Sequence, residues 1–142
     1  MRFFIFYLLF FTYLTASTLN LSMSSSPSRL NPILASDSAS SEITEWLFNG
    51  LFKYDKFGIP TVELAKSYNF ETPTKLIIKL RDDVLWHDGE KFTSKDVIFT
   101  YEKIIDPKVF NSIKSNFTQV EKVTAIDDFT IEVMYKKPYF KA

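Results

Sequence analysis

His87 is the only histidine of the 142-residue chain, and it stands between Trp86 and Asp88-Gly89. A histidine metal cluster therefore cannot form, and without cysteine neither a thiolate zinc site nor a Cys-His nucleophile is possible. A Ser-His-Asp arrangement remains formally open because serines and aspartates are plentiful, yet no nucleophile-elbow pattern accompanies it. With only 3 glycines there is neither a phosphate-cradling loop nor a dinucleotide fingerprint. The carboxylate pairs Asp82-Asp83 and Asp127-Asp128 could suggest acid-base work or a hard cation, but both fall where turns are expected and read as solvated turn residues. Trp46 and Trp86, with 15 Phe and 7 Tyr, could line a cleft; by spacing most aromatics belong to core or leader. The balance of 17 basic against 17 acidic side chains gives no general field for phosphates or anionic lipid, which argues against nucleic acid as a partner. No metal, no cofactor and no catalytic constellation are expected, and a binding module is the simplest reading.

The elements that would frame such a module follow from pattern. At 46% hydrophobic and 24% charged, the chain reads as a globular domain. Met1-Arg2, the apolar run Phe3 to Leu14 and the small residues Thr15, Ala16 and Ser17 have the three parts of a secretory signal peptide, with cleavage expected after Ser17. The run is too short to span a bilayer as a helix, and the alternative of a retained anchor extending through Leu21 is weakened by Thr18 and Asn20. Leu19, Leu21 and Met23 alternate with Asn20 and Ser22 as in a strand, which ends in the polar loop Ser24 to Asn31 before Pro32. The serine-rich region Ser22 to Ser41 reads as a solvated loop by composition, although serines and main-chain amides also hold small polar ligands.

Asp37 or Ser38 caps a helix whose apolar positions Ile43, Trp46 and Leu47 recur at helical spacing and whose stop is Gly50. Leu51, Phe52 and Tyr54 form a short strand, Lys56 to Gly58 and Pro60 turn the chain, and Ser67 to Glu71 pairs with Leu76 to Leu80 as a hairpin about Thr72 to Lys75. Ile77, in an almost continuously apolar strand, is expected to meet another element. Thr93 is the N-cap of a second helix, with Asp96 returning a bond to its backbone and Phe92 stapled to Val97. Val97, Ile98, Tyr101, Ile104 and Ile105 share one face, and Asp106-Pro107 stops the helix. After a looser stretch, Val120 to Ile126 and Phe129 to Tyr135 form a second hairpin about Asp127-Asp128. His87-Asp88-Gly89 is a structural turn whose glycine supplies a positive φ.

Two segments, LAKSY at 64–68 and IKLRDDVLWHDGEKFTSKDVIFTYEKIIDP at 78–107, resemble the region shared by the peptide-binding solute-binding proteins, family 5, of ATP-driven importers. That family has a strand ending in Leu-Arg, a short acidic link, a Val-x-Phe/Trp-His-Asp-Gly turn and a Thr/Ser-Ala-x-Asp-Val helix start. Leu80, Arg81, Val84, Trp86, His87, Asp88, Gly89, Thr93, Asp96 and Val97 fill those places, with Ser94 where alanine is common. Leu30-Asn31-Pro32, Gly50-Leu51, Tyr54-Asp55, Pro60, Leu64-Ala65 and Val123 to Asp128 also fit.

The resemblance implies an α/β, periplasmic-binding-protein-like fragment with a mixed sheet, β-hairpins and two amphipathic helices. Residues 18–36 would supply the first strand and cleft loop of the main lobe, and 37–142 an accessory lobe incomplete at its C-terminus. Family members are several-fold longer, so the chain is expected to lack most residues that hold a peptide's ends. The implied role is non-enzymatic: an extracytoplasmic, monomeric protein that captures short peptides and delivers them to a membrane permease of an ABC importer. The missing lipid-attachment cysteine implies a freely soluble periplasmic form. Ser26, Ser28, Leu30 and Asn31 would lie near the cleft and Asn116 would reach ligand side chains, while Arg81, His87, Asp88, Gly89, Thr93 and Asp96 would be framework. The alternatives left open are a binder of a nickel chelate or sugar, a secreted serine hydrolase using His87, and a remnant unable to fold alone.

Overall fold

The computed structural model describes residues 20–138, so the leader expected over 1–17 lies outside the described residues. Two hairpins build the core. Strands β3 (Ala65–Thr72) and β4 (Lys75–Leu80) pair antiparallel from Ala65↔Leu80 to Thr72↔Lys75, with Pro73 and Thr74 as the turn. β5 (Val120–Asp127) and β6 (Thr130–Tyr135) pair likewise about Asp128 and Phe129. β6 docks antiparallel against β4, giving a four-stranded sheet in the order β3-β4-β6-β5. Every described pair is antiparallel, so the parallel pairing that a mixed sheet requires is not seen; each strand finds its neighbour by folding back through a short turn. The edge strands β3 and β5 each carry two register irregularities, which twist an exposed edge away from further pairing.

Period-two alternation decides the face. Leu76, Ile78 and Leu80 of β4 and Ile131 and Val133 of β6 are buried on one side, joined by Ala65 and Phe92. On the other side Lys75 bridges Glu71 at 3.0 Å and Glu132 at 2.8 Å. Ile77 is half-buried there, registered against Asn69 and Glu132 and not against a further layer.

Helix α2 (Ser94–Ile105) packs along β5, with Ile104 buried and Val97 against the core. Its last turn leaves Ile105 37% exposed, so the apolar face is one position narrower than the spacing suggests. Asn111 closes that end by donating from Nδ2 to the Ile104 carbonyl at 3.0 Å. A short 3₁₀ helix (Ile113–Phe117) fills the stretch read as loose.

Helix α1 (Ser38–Leu47) starts at its N-cap Asp37, but its inward face is Ala39, Ser40 and Thr44. Trp46 and Leu47 are 55% and 46% exposed, because α1 seats on a polar loop through small residues and not on a sheet through large ones. The helix ends at Leu47 with Phe48 as C-cap, and Gly50 serves a different purpose: a Cβ there would meet the Phe52 carbonyl oxygen at 2.8 Å. Strands β1 (Phe52–Tyr54) and β2 (Pro60–Val62) form a separate ribbon, in which Pro60, read as a turn residue, pairs with Tyr54 at the strand's first position, where its missing N–H costs nothing. Residues 20–23 form no strand: Leu21 is 53% exposed, and among the described residues no neighbouring strand supplies a ladder. Among the described residues no helix is long and apolar enough to cross a membrane.

Candidate ligand-binding site

The serine-rich loop ahead of α1 is held by side chains. Among the described residues its backbone–backbone hydrogen bonds begin at Asn31, whose carbonyl accepts from Leu34 and Ala35 at 3.0 and 2.9 Å. Upstream, the Ser40 hydroxyl accepts from two consecutive amides, Ser28 N–H at 3.0 Å and Arg29 N–H at 3.1 Å, and donates to Asp37 Oδ2 at 2.7 Å. The Ser28 hydroxyl donates to the same Oδ2, while Asp37 Oδ1 caps α1 by accepting from Ser40 N–H at 2.8 Å. These donors, the Ser28 hydroxyl foremost and then the Ser40 amide and hydroxyl, hold the Asp37 carboxyl down at about 2.

Ser26, Ser28, Leu30 and Asn31 all sit on the exposed side of this loop. The Ser28 hydroxyl is turned onto Asp37, and Asn31 Oδ1 accepts from Ile33 N–H at 3.0 Å, so both polar side chains fix the loop itself. Ser26 and Leu30 face solvent, Leu30 at 51% exposure. Asn116 is exposed on the 3₁₀ helix, and no hydrogen bond joins it to the loop. Sequence reasoning missed Ser40, which is 0% exposed and the centre of the arrangement. The available signal was its place three residues after an Asp N-cap.

A second group of residues frames the other side. Arg81 grips Asp83 in a two-pronged pair, Nε to Oδ1 and a terminal nitrogen to Oδ2, each at 2.9 Å; this raises the guanidinium and lowers the Asp83 carboxyl from their ordinary values. The chain then reverses through Trp86–Gly89, where Gly89 N–H donates to the Trp86 carbonyl at 2.9 Å and Gly89 takes a φ of 91°. Asp88 Oδ1 accepts from Glu90 N–H at 3.1 Å, and Phe92 N–H returns to the Val84 carbonyl at 3.1 Å. Thr93 N–H donates to Asp96 Oδ2 at 2.7 Å, and the Thr93 hydroxyl reaches the same oxygen at 3.2 Å. Ser94, 1% exposed, ties this helix start to the β5–β6 turn by donating from its hydroxyl to the Asp127 carbonyl at 2.6 Å and from its amide to Asp128 at 2.8 Å. His87 is exposed, and no serine hydroxyl hydrogen-bonds to it among the described residues. No group of three described His, Asp or Glu residues could hold a metal.

The two frames meet over a cavity of about 400 Å³, lined by Pro32 and Ile33 after the loop, Thr44 and Phe48 at α1, and Val97 and Ile104 of α2. Ser26, Ser28, Leu30, Asn31 and Asn116 do not line it, although Ile113 of the 3₁₀ helix does. A second cavity of about 480 Å³ opens on the apolar face of the sheet. Its walls include the edge-on pair Phe52–Tyr68, 5.4 Å between centroids, and the stacked pair Phe70–Tyr135 at 6.5 Å. Both have the size of small-ligand pockets and offer mainly apolar contact, which suits binding.

Known proteins are similar to this chain in sequence and in arrangement. The chain is 30% identical over 113 residues to the glutathione-binding protein GsiB of Pectobacterium atrosepticum, covering 78% of this chain and 22% of that one. It is 27% identical over 115 residues to the periplasmic oligopeptide-binding protein OppA of Escherichia coli, covering 69% and 21%. Among solved structures, Listeria monocytogenes OppA bound to peptide superposes with a TM-score of 0.81 at 26% identity, covering 86% of this chain and 27% of that one. NikZ from Campylobacter jejuni in complex with Ni(L-His) gives 0.71 at 33%, covering 81% and 23%. The chain thus spans about a fifth to a quarter of the length of the curated relatives it matches. The profile of the bacterial extracellular solute-binding proteins, family 5 (middle region), matches residues 60–142, more than half of the chain, and the chain belongs to that family.

Proposed function

We propose that this chain is part of an extracytoplasmic solute-binding protein that captures short peptides and hands them to the membrane permease of an ABC importer. The observation that carries the reading is the superposition on a peptide-loaded oligopeptide-binding protein over 86% of this chain, within a family whose similar members are named for peptides and glutathione. The loop from Ser26 to Asn31 is the part of this chain we assign to the ligand cleft, with Asn116 as an outer contact. In this reading 18–36 belong to the main lobe and 37–142 to the accessory lobe. Arg81, His87, Asp88, Gly89, Thr93 and Asp96 hold the frame, the protein acts as a periplasmic monomer after removal of residues 1–17, and no bond is made or broken.

The 33% identity to the Ni(L-His)-binding NikZ favours a metal chelate as the second reading. Calorimetry on the whole protein separates the two: glutathione, tri-alanine and a mixed di- to pentapeptide library are titrated beside nickel with L-histidine. Heat with a peptide or glutathione alone supports the first, heat with the nickel chelate alone replaces it with the second, and heat with none refutes both. The hydrolase alternative is checked with His87→Gln, which leaves peptide binding unchanged if His87 is framework.

A further inference from the structure

We propose that Asp37 and Ser40 are positioning residues for the ligand cleft: they clamp the Ser28–Arg29 backbone so that the outer side of the loop is presented in one conformation. This rests on the reading that the loop faces the ligand.

The argument is one of hydrogen-bond valence. A serine hydroxyl has one proton and two lone pairs. Ser40 sends its proton to Asp37 Oδ2 and therefore has both lone pairs for two amides, Ser28 N–H at 3.0 Å and Arg29 N–H at 3.1 Å. All three capacities of this hydroxyl are used, at a residue with 0% exposure. The carboxylate fixes the polarity: as an acceptor only, it obliges both Ser28 and Ser40 hydroxyls to donate toward it. With the same Asp37 capping α1, the loop and the helix that borders the 400 Å³ cavity are set by one residue. Among the described residues, the exposed part of the loop makes no backbone–backbone bond before Asn31, so there the Ser40 bonds are what hold its main chain.

The experiment compares whole wild-type protein with Ser40→Ala, Asp37→Ser and Glu42→Gly. Serine at position 37 retains a good helix cap while removing the carboxylate. Glu42 is exposed on α1 and lines neither cavity, so Glu42→Gly controls for loss of helix stability. Amide hydrogen exchange at Ser28 and Arg29 is read beside melting temperature and the dissociation constants for glutathione and tri-alanine. The expected result is faster exchange at both amides and about tenfold weaker binding for Ser40→Ala and Asp37→Ser, with Glu42→Gly lowering the melting temperature but binding within about twofold of wild type. Unchanged exchange in Ser40→Ala overturns the clamp. Faster exchange with unchanged affinity overturns its role in the cleft, as does a Glu42→Gly loss as large as that of Ser40→Ala. Wild-type protein that binds neither probe nor any of the library refutes the peptide reading itself, which is a different failure.

Discussion

Removing the carboxylate of Asp96 should destabilise the fold by about 1–2 kcal/mol. The value follows from what Asp96 does at the start of α2. Its Oδ2 accepts from the Thr93 amide at 2.7 Å and from the Thr93 hydroxyl at 3.2 Å, and its charge sits in the first turn, where the helix dipole favours an anion. Loss of a cap costs about 1 kcal/mol and loss of the charge about 0.3–1 kcal/mol. The helix it starts carries Val97 and Ile104 onto the core, so fraying of the first turn is felt by the whole domain. Urea unfolding followed by far-ultraviolet circular dichroism gives the change directly, and a thermal melt should fall by roughly 4–10 °C for a domain of this size. Asp96→Asn retains an oxygen for the Thr93 amide and loses only the charge, so it should cost about half as much as Asp96→Ala. An Asp96→Ala change below about 0.3 kcal/mol, or an asparagine costlier than alanine, would refute the capping argument.

Other positions test other parts of the fold. Ile131, 1% exposed at the centre of β6, should lose about 2–5 kcal/mol as Ile131→Ala and about 0.5–1.5 kcal/mol as Ile131→Val in the same urea assay; equal losses would mean the site is not close-packed. Gly89→Ala forces a Cβ onto a φ of 91° in open space, so the cost is conformational, about 1–2 kcal/mol, whereas Gly50→Ala must displace the Phe52 carbonyl and should loosen the bonds that the Leu64 and Ala65 amides make to the Gly50 and Leu51 carbonyls, read as faster amide exchange at Leu64 and Ala65. The Asp37 carboxyl is lowered in the folded protein, so the stability it contributes is present above its ordinary value of 3.8 and is lost as the pH falls toward about 2. Carbon-detected titration should place its midpoint near the lower figure, and a midpoint at the ordinary value would contradict the Ser28 and Ser40 bonds.

Local chemistry made much of this readable in advance. The Thr93 and Asp96 pair, the proline and aspartate turns and the period-two runs 76–80 and 129–135 each state a preference within a few residues, and the fold satisfies them with the same partners. Where a segment's burial depends on what arrives from far along the chain, pattern was a poorer guide. Ile43, Trp46 and Leu47 recur at helical spacing, yet Trp46 and Leu47 are exposed, because α1 meets the loop at 28–29, which small polar residues fit and large apolar ones do not. Pro60 read as a turn residue, and as the first residue of β2 it is a strand residue.

The sequence by itself determined the two hairpins, the capped helix, the motif that carries the family resemblance and the absence of any cysteine or second histidine with which to do chemistry. Only the tertiary structure decided that Ser40 is a buried centre and that Asn116 does not line the cavity between the loop and the helices. It also decided that two cavities open beside the sheet and the helices. The physical reason is range: caps, turns and alternation are settled among near neighbours, whereas a hydroxyl's partners twelve residues away and the walls of a cavity exist only once separate elements have packed.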